Sequence, residues 1–482
     1  MQTLKTLKKM VTLLSIVFLF SEVCFGNVPR DIASDVRYLI NQTDPYVYAG
    51  VVIQDVTTGK ILYQRNAHQN FVPASNEKLY SAATALMVLG PHYRFQTPLY
   101  TDAKEVHPGT LMGNLYLQFS GDPTLKSTDL EHLIQEIKKL SIHAIAGNVI
   151  LLPANYTLQG YGPGWSERDR ELAYGAPVSP TIIDENKILV RASVLNHSNR
   201  ASVQVFDPSK TVHVTNNVRT VYNRRLGAVR FELNWQNDLN ASGYITPRYA
   251  AGEALALKNP MNYAQGVVIE ALKKEGISFK GKVMTGARPK TFKLLATHTS
   301  APLSEILTLT LKTSNNLYAN SLFLKAAEVY LNGQASWQNA GFTVKKVLSQ
   351  YAGLDLNQAV FMDGSGLSRD NRVTPWQTVH LLRSIHQQFP IRYEFITALP
   401  IAGKDGTLKR RMPSLARDSR VRAKTGTMQG VVSLAGYLTT ANNHTLVFAF
   451  MFNAIPKRAF YSWKYRALED RLCEYLAKQS VA

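Results

Sequence analysis

Apolar residues recur along this chain with two different periods, and the switches between them outline its elements. Apolar runs at 49–53 and 61–63 flank a polar turn at 55–59, which predicts a β-hairpin over 46–64. A helical stretch, 78–89, follows directly, and helical periodicity returns at 303–311 and 317–330. Strand-like runs come next at 420–425, 431–439 and 444–453, and a predicted helix, 457–478, closes the chain. The middle reads as strands at 111–119, 146–152, 188–194, 202–206 and 229–235, punctuated by Asn and Gly turns. Heptads, low-complexity tracts and solenoid periods are absent from the sequence. The natural assembly is an antiparallel sheet drawn from both chain ends and flanked by helices, with the 78–89 helix against it and the β-rich middle inserted.

Candidate chemistry sits at the joints of these elements. Ser75-Asn-Glu-Lys78, Ser314-Asn-Asn316 and Lys424-Thr-Gly-Thr427 spell S-x-x-K, S-x-N and K-T-G in that order. Each alone has a plain alternative: a capped helix start, an N-cap before Leu317, a turn. Together they are the motif set of serine acyl-transferases acting on D-alanyl peptides. Ser75 at a helix start places Lys78 one turn along on the same face, within reach of its hydroxyl. A Ser hydroxyl needs such a base, and a Lys serves as one only when burial or a second cation lowers its pKa. Lys424 is the candidate second cation. Ser314 would relay protons, Asn316 would hold a substrate carbonyl, and Lys424 and Thr425 would meet a carboxylate. The N–H groups of Ser75 and Thr427 would form an oxyanion hole, and Gly426 would admit a ligand backbone.

Composition narrows the class. The 482 residues carry a formal net charge of +20, and removing residues 1–26 takes away only three Lys and one Glu. Such an excess suits an anionic partner: wall polymer, acidic lipid headgroups or nucleic acid. The densest stretch, 404–424, holds eight Lys or Arg against Asp405 and Asp418 and runs straight into the K-T-G motif. Lys5, Lys8 and Lys9 before the apolar run 10–20, with Cys24 and Gly26 beyond it, predict a secretory signal over 1–26. That predicts an exported protein, in the periplasm or the extracytoplasmic envelope, and with the lack of a recognised binding motif it argues against nucleic acid. Cys24 falls inside the signal, so Cys473 is left as a lone thiol. Scattered histidines and no H-E-x-x-H predict no metal and no cofactor.

Further segments extend the likeness. Pro73-Ala-Ser-Asn-Glu-Lys-Leu79, Gly121-Asp-Pro-Thr-Leu125, Asp363-Gly-Ser-Gly-Leu-Ser-Arg369 and Gly403-Lys-Asp-Gly-Thr-Leu408 resemble segments of the D-alanyl-D-alanine carboxypeptidase/endopeptidases. These are the class C low-molecular-weight penicillin-binding proteins, peptidase family S13. The resemblance implies an α+β fold: a β-lactamase/transpeptidase-like domain, antiparallel sheet flanked by helices, over 27–93 and 290–482. Two nested, β-rich domains would be inserted in it, domain II over 94–183 and 252–289 and domain III over 184–251. It implies acylation of Ser75, Lys78 as base, support from Ser314, Asn316 and Lys424, and carboxylate binding by Thr425 and Thr427. Arg369 matches an arginine that reads a stem-peptide carboxylate, and Asp169 an aspartate that binds the free amine of diaminopimelate. The family's Trp-x-Asp-Asp pattern is here Trp165-Ser-Glu-Arg-Asp169. Implied partners are peptidoglycan stem peptides and β-lactams as covalent inhibitors, with peripheral association to membrane or wall. Two alternatives are a serine β-lactamase, for which Glu328-Val-Tyr-Leu-Asn332 is a decoy of the class A E-x-x-L-N pattern, and a non-catalytic cell-wall-binding or assembly protein.

Overall fold

The computed structural model describes residues 31–157, 160–195, 198–222, 227–388 and 391–481; the expected signal, 1–26, lies outside the described residues. Both chain ends meet in one five-stranded sheet. Its order is Val421–Met428, Val431–Thr439, Thr445–Asn453, Tyr48–Asp55, Ile61–Arg65, and every neighbouring pair is antiparallel.

The central strand Thr445–Asn453 shows why the run is apolar throughout. Leu446, Phe448, Phe450 and Phe452 pack on one face with Val36, Ile40, Leu468 and Leu472, from the helices Ile32–Thr43 and Ser462–Ala477. Val447, Ala449 and Met451 face the opposite layer, where helix Pro375–Gln388 lies on the sheet. A strand covered on both faces has no polar side to show. Each buried Phe in it contributes roughly 1.5–3 kcal/mol relative to exposure.

Behind Pro375–Gln388 lie Glu77–Leu89, Asn316–Leu331 and Trp337–Ala352. In Glu77–Leu89 every residue from Glu77 to Leu86 is buried, so the helix is enclosed on all sides and not amphipathic. It ends at Gly90, whose φ of 78° breaks the helical path.

The inserted region has its own core. A five-stranded sheet there runs Val283–Thr285, Val149–Leu152, Leu115–Gln118, Gln96–Thr101, Lys293–Thr299, and two three-stranded sheets occupy 187–256. Besides its strands the region holds two long helices, Ser127–Lys139 and Pro260–Glu275, and the short Glu167–Glu171, none of which the β-rich reading of the middle had placed. Two pairings bear on the expected domain limits. Ala251–Ala256 is a ladder partner of Lys187–Val194, and Lys293–Thr299 of Gln96–Thr101. We therefore propose that domain III runs to 256 and domain II to 299, because a limit at 251 or 289 would cut a sheet. Ala154, Tyr156, Trp165, Val178 and Ile182 leave the inserted core and join that of the sheet-and-helix body. That excursion carries Asp169 to the site.

Candidate active site

Three separate elements converge. Ser75 lies in the 3-10 turn Ala74–Asn76 that feeds helix Glu77–Leu89. Ser314 occupies the joint between Leu303–Lys312 and Asn316–Leu331. Lys424 is on Val421–Met428, an edge strand of the sheet, packed against the Ser75 turn. Ser314 is not the cap of its helix: Asn315 is, accepting from Tyr318 N, which leaves the Ser314 hydroxyl for other work.

Two backbone positions hold this geometry under strain. Ala74 has φ 46° and Ser314 has φ 58°, in the left-handed region that costs a residue with a Cβ about 1–3 kcal/mol. Packing fixes the Ala74 turn from both sides. Ser433 Oγ donates to Pro73 O at 2.7 Å, and Gly366, φ 81°, sits where any Cβ would overlap the Ala74 carbonyl oxygen. Gly426 serves the fold as well: a Cβ there would overlap Ser433 Oγ and lie 2.8 Å from Pro73 O and 3.1 Å from Ser75 N, so the glycine makes room for the Ser75 turn.

Lys78 Nζ has three partners: Asn316 Oδ1 at 2.7 Å, Ser365 O at 2.7 Å and Ser75 Oγ at 3.0 Å. The first two only accept. A neutral amine spends its two hydrogens on them and turns its lone pair to the third, the one partner that can donate. The local electrostatics favour that neutral state. Lys78 is fully buried, and burial lowers its pKa to about 7 against the opposing pull of Asp363 and Glu77. Burial and the charge of Asp363 also push Glu77 towards its protonated form, so it offers Lys78 little countercharge. Lys424 is equally buried, and burial and the neighbouring Lys78 hold it well below the ordinary lysine range. Its Nζ donates to Ser314 Oγ at 2.9 Å and to Thr425 O at 2.8 Å.

Asn316 is engaged at both ends. Its Nδ2 donates to Tyr174 O at 2.9 Å, which leaves one amide hydrogen for an incoming carbonyl. The loop holding Ser365 is organised by Asp363, whose buried carboxylate accepts from the N–H groups of Gly366 and Ser368 at 2.8 and 2.9 Å and from Trp165 Nε1 at 2.7 Å. Asp363, Ser365, Trp165 and Tyr174 had no assigned role in the sequence, although the D-G-S-G-L-S-R segment was visible as a motif.

The cavity in front of these groups has a volume of about 550 Å³ and is lined by Ser75, Ser314, Asn316, Asp169, Arg369 and Thr427 among others. Lys78 and Lys424 lie buried beneath it. Thr425 is not in its lining; its hydroxyl pairs with Thr407 Oγ1 at 2.8 Å. Arg369 is held at the rim by Gln429 O at 3.0 Å. Asp169 accepts from Ser166 Oγ at 2.5 Å and Tyr174 Oη at 2.8 Å, so the Trp165-Ser-Glu-Arg-Asp169 register does bring a carboxylate to the cavity. Glu328 of the E-x-x-L-N decoy is on helix Asn316–Leu331, paired with Lys325, and does not line the cavity.

The chain is 30% identical over 418 residues to the D-alanyl-D-alanine carboxypeptidase DacB of Haemophilus influenzae, covering 84% of this chain and 85% of that one. The crystal structure of penicillin binding protein 4 (dacB) from Haemophilus influenzae superimposes with a TM-score of 0.82 at 28% identity, covering 92% of this chain and 100% of that one. A structure of that protein complexed with a β-lactam matches with a TM-score of 0.77 at 27% identity over the same shares of both chains. The model of the D-Ala-D-Ala carboxypeptidase 3 (S13) family matches residues 34–467, and the chain belongs to that family.

Proposed function

We propose that the chain is a serine D-Ala-D-Ala carboxypeptidase and endopeptidase that trims stem peptides and cleaves cross-links of peptidoglycan through an acyl-enzyme on Ser75. The observation that carries the proposal is the Lys78 amine, buried, depressed in pKa and able to accept only from Ser75 Oγ. In the forward step Ser75 Oγ bonds to the carbonyl carbon between the last two residues while its proton passes to Lys78 Nζ. The N–H groups of Ser75 and Thr427 meet the oxyanion. Collapse breaks the C–N bond, and the departing amine takes a proton through Ser314 from the lysine pair. Water then attacks the ester by the same route in reverse. A β-lactam acylates Ser75 in the same way, but its leaving group stays tethered and obstructs the water.

Arg369 and Thr427 at the cavity meet the carboxylate end of the substrate, with Lys424 buried behind them and Thr425 O accepting from its Nζ. Asp169 meets a free amine on the stem peptide. Site and substrate lie outside the cytoplasm in this reading, and the +20 net charge suits peripheral contact with wall polymer or acidic lipid. Among the described residues no helix is long and apolar enough to cross a membrane.

Two expected results test the assignment. The second-order rate of acylation by benzylpenicillin should climb about tenfold per pH unit below 7 and level off above it, because Lys78, with its pKa of about 7, is a base only when neutral. A flat profile from mildly acidic to mildly basic pH contradicts a lysine base. Asp169→Asn should raise KM about tenfold for a peptide with a free diaminopimelate amine, ~1.4 kcal/mol, and leave acylation by benzylpenicillin unchanged. Equal losses on both substrates would make Asp169 a structural residue.

A further inference from the structure

A second cavity lies apart from the one above Ser75. It measures about 790 Å³ and lies behind the segment 165–171, which forms a wall of both cavities: Asp169 lines the first and Arg170 the second. Besides that segment, three pieces of chain line it. They are Thr157 with 161–163, the first turns of helix Trp337–Ala352, and 359–362, which leads into Asp363.

Three features of its lining are unusual together. Tyr161, Trp337, Phe342 and Phe361 supply aromatic surface. Arg170 and Lys345 supply two cations, the Arg170 guanidinium 5.2 Å over the Tyr161 ring, and the lining has no acidic residue. Among the described residues neither cation has a carboxylate within ion-pair distance. Finally, three buried polar atoms on lining residues have no hydrogen-bond partner among the described residues: Trp337 Nε1, Tyr161 Oη and Arg170 Nε. Trp337 is only 8% exposed, so bulk water does not reach it freely.

We propose that this cavity is a second binding site, for a carboxylate that carries an apolar group. The carboxylate answers Arg170 and Lys345, and the apolar group lies on the aromatic rings. The site needs neither Ser75 nor its chemistry, so it stands or falls apart from the proposed function.

The test uses full-length protein labelled with 5-fluorotryptophan, in which Trp337→Phe assigns one of five tryptophan fluorine resonances. Titration with N-acetyl-phenylalanine should shift the Trp337 resonance saturably. The uncharged N-acetyl-phenylalaninamide should bind at least about tenfold more weakly, and Arg170→Gln and Lys345→Ala should each weaken the carboxylate by a similar factor. The other four resonances report whether each variant keeps its fold. No shift at Trp337, equal affinity for the amide, or a tighter response to N-acetylglucosamine than to the carboxylate would overturn the proposal.

Discussion

Lys78→Met should slow acylation by benzylpenicillin about 10³- to 10⁴-fold in a protein that still folds. The upper range follows from what a positioned general base contributes to proton transfer. Methionine nearly matches the lysine stem in volume and removes a buried amine, so the helix keeps its packing. The variant strands Asn316 Oδ1 and Ser365 O without their donor, a cost of roughly 1–3 kcal/mol that offsets the gain from burying no cation. The measurement is the rate of adduct formation followed by mass, with unfolding by urea as the control. A rate within tenfold of the parent would move the base to another residue.

Gly366→Ala should destabilise the protein by more than about 3 kcal/mol and abolish acylation in whatever fraction remains folded. The cost has two sources. An L side chain is strained at φ 81°, and its Cβ would press on the carbonyl oxygen of Ala74, itself held at φ 46°. The only relief is to move the Ser75 turn, and Ser75 Oγ then leaves the Lys78 amine. Urea unfolding with parallel mass measurement reads both effects. Parent-like stability and acylation together would show that the turn is not held from the Gly366 side.

How far the site was legible depended on whether its residues announce themselves locally. Ser75, Lys78, Ser314, Asn316 and Lys424 stand in short motifs whose order carries the meaning, and the structure brings them together as two hydrogen-bonded sets, Lys78 with Ser75 and Asn316, and Lys424 with Ser314. The alternating core of Thr445–Asn453 and the enclosed helix Glu77–Leu89 were equally plain as apolar runs. Helix Ser127–Lys139 was readable too: Leu130, Leu133, Ile134 and Ile137 have helical spacing and are buried. Strand Val214–Thr220 was not, because five of its seven residues are exposed and polar positions there carry no period. Tyr174 was invisible for another reason. It acts through its backbone oxygen on Asn316 and its hydroxyl on Asp169, and nothing local marks either role. The part Gly426 plays in the fold was not legible, because the position of the Ser75 turn against it is set only by the tertiary structure.

The most direct test of the acyl-enzyme account is the intact mass of the purified protein after incubation with benzylpenicillin, run beside Ser75→Ala. The account predicts one stable adduct per chain, absent from the variant. A well-folded protein that forms no adduct would contradict it and favour a binding or assembly role. Rapid turnover of the antibiotic with no accumulation would instead favour a serine β-lactamase.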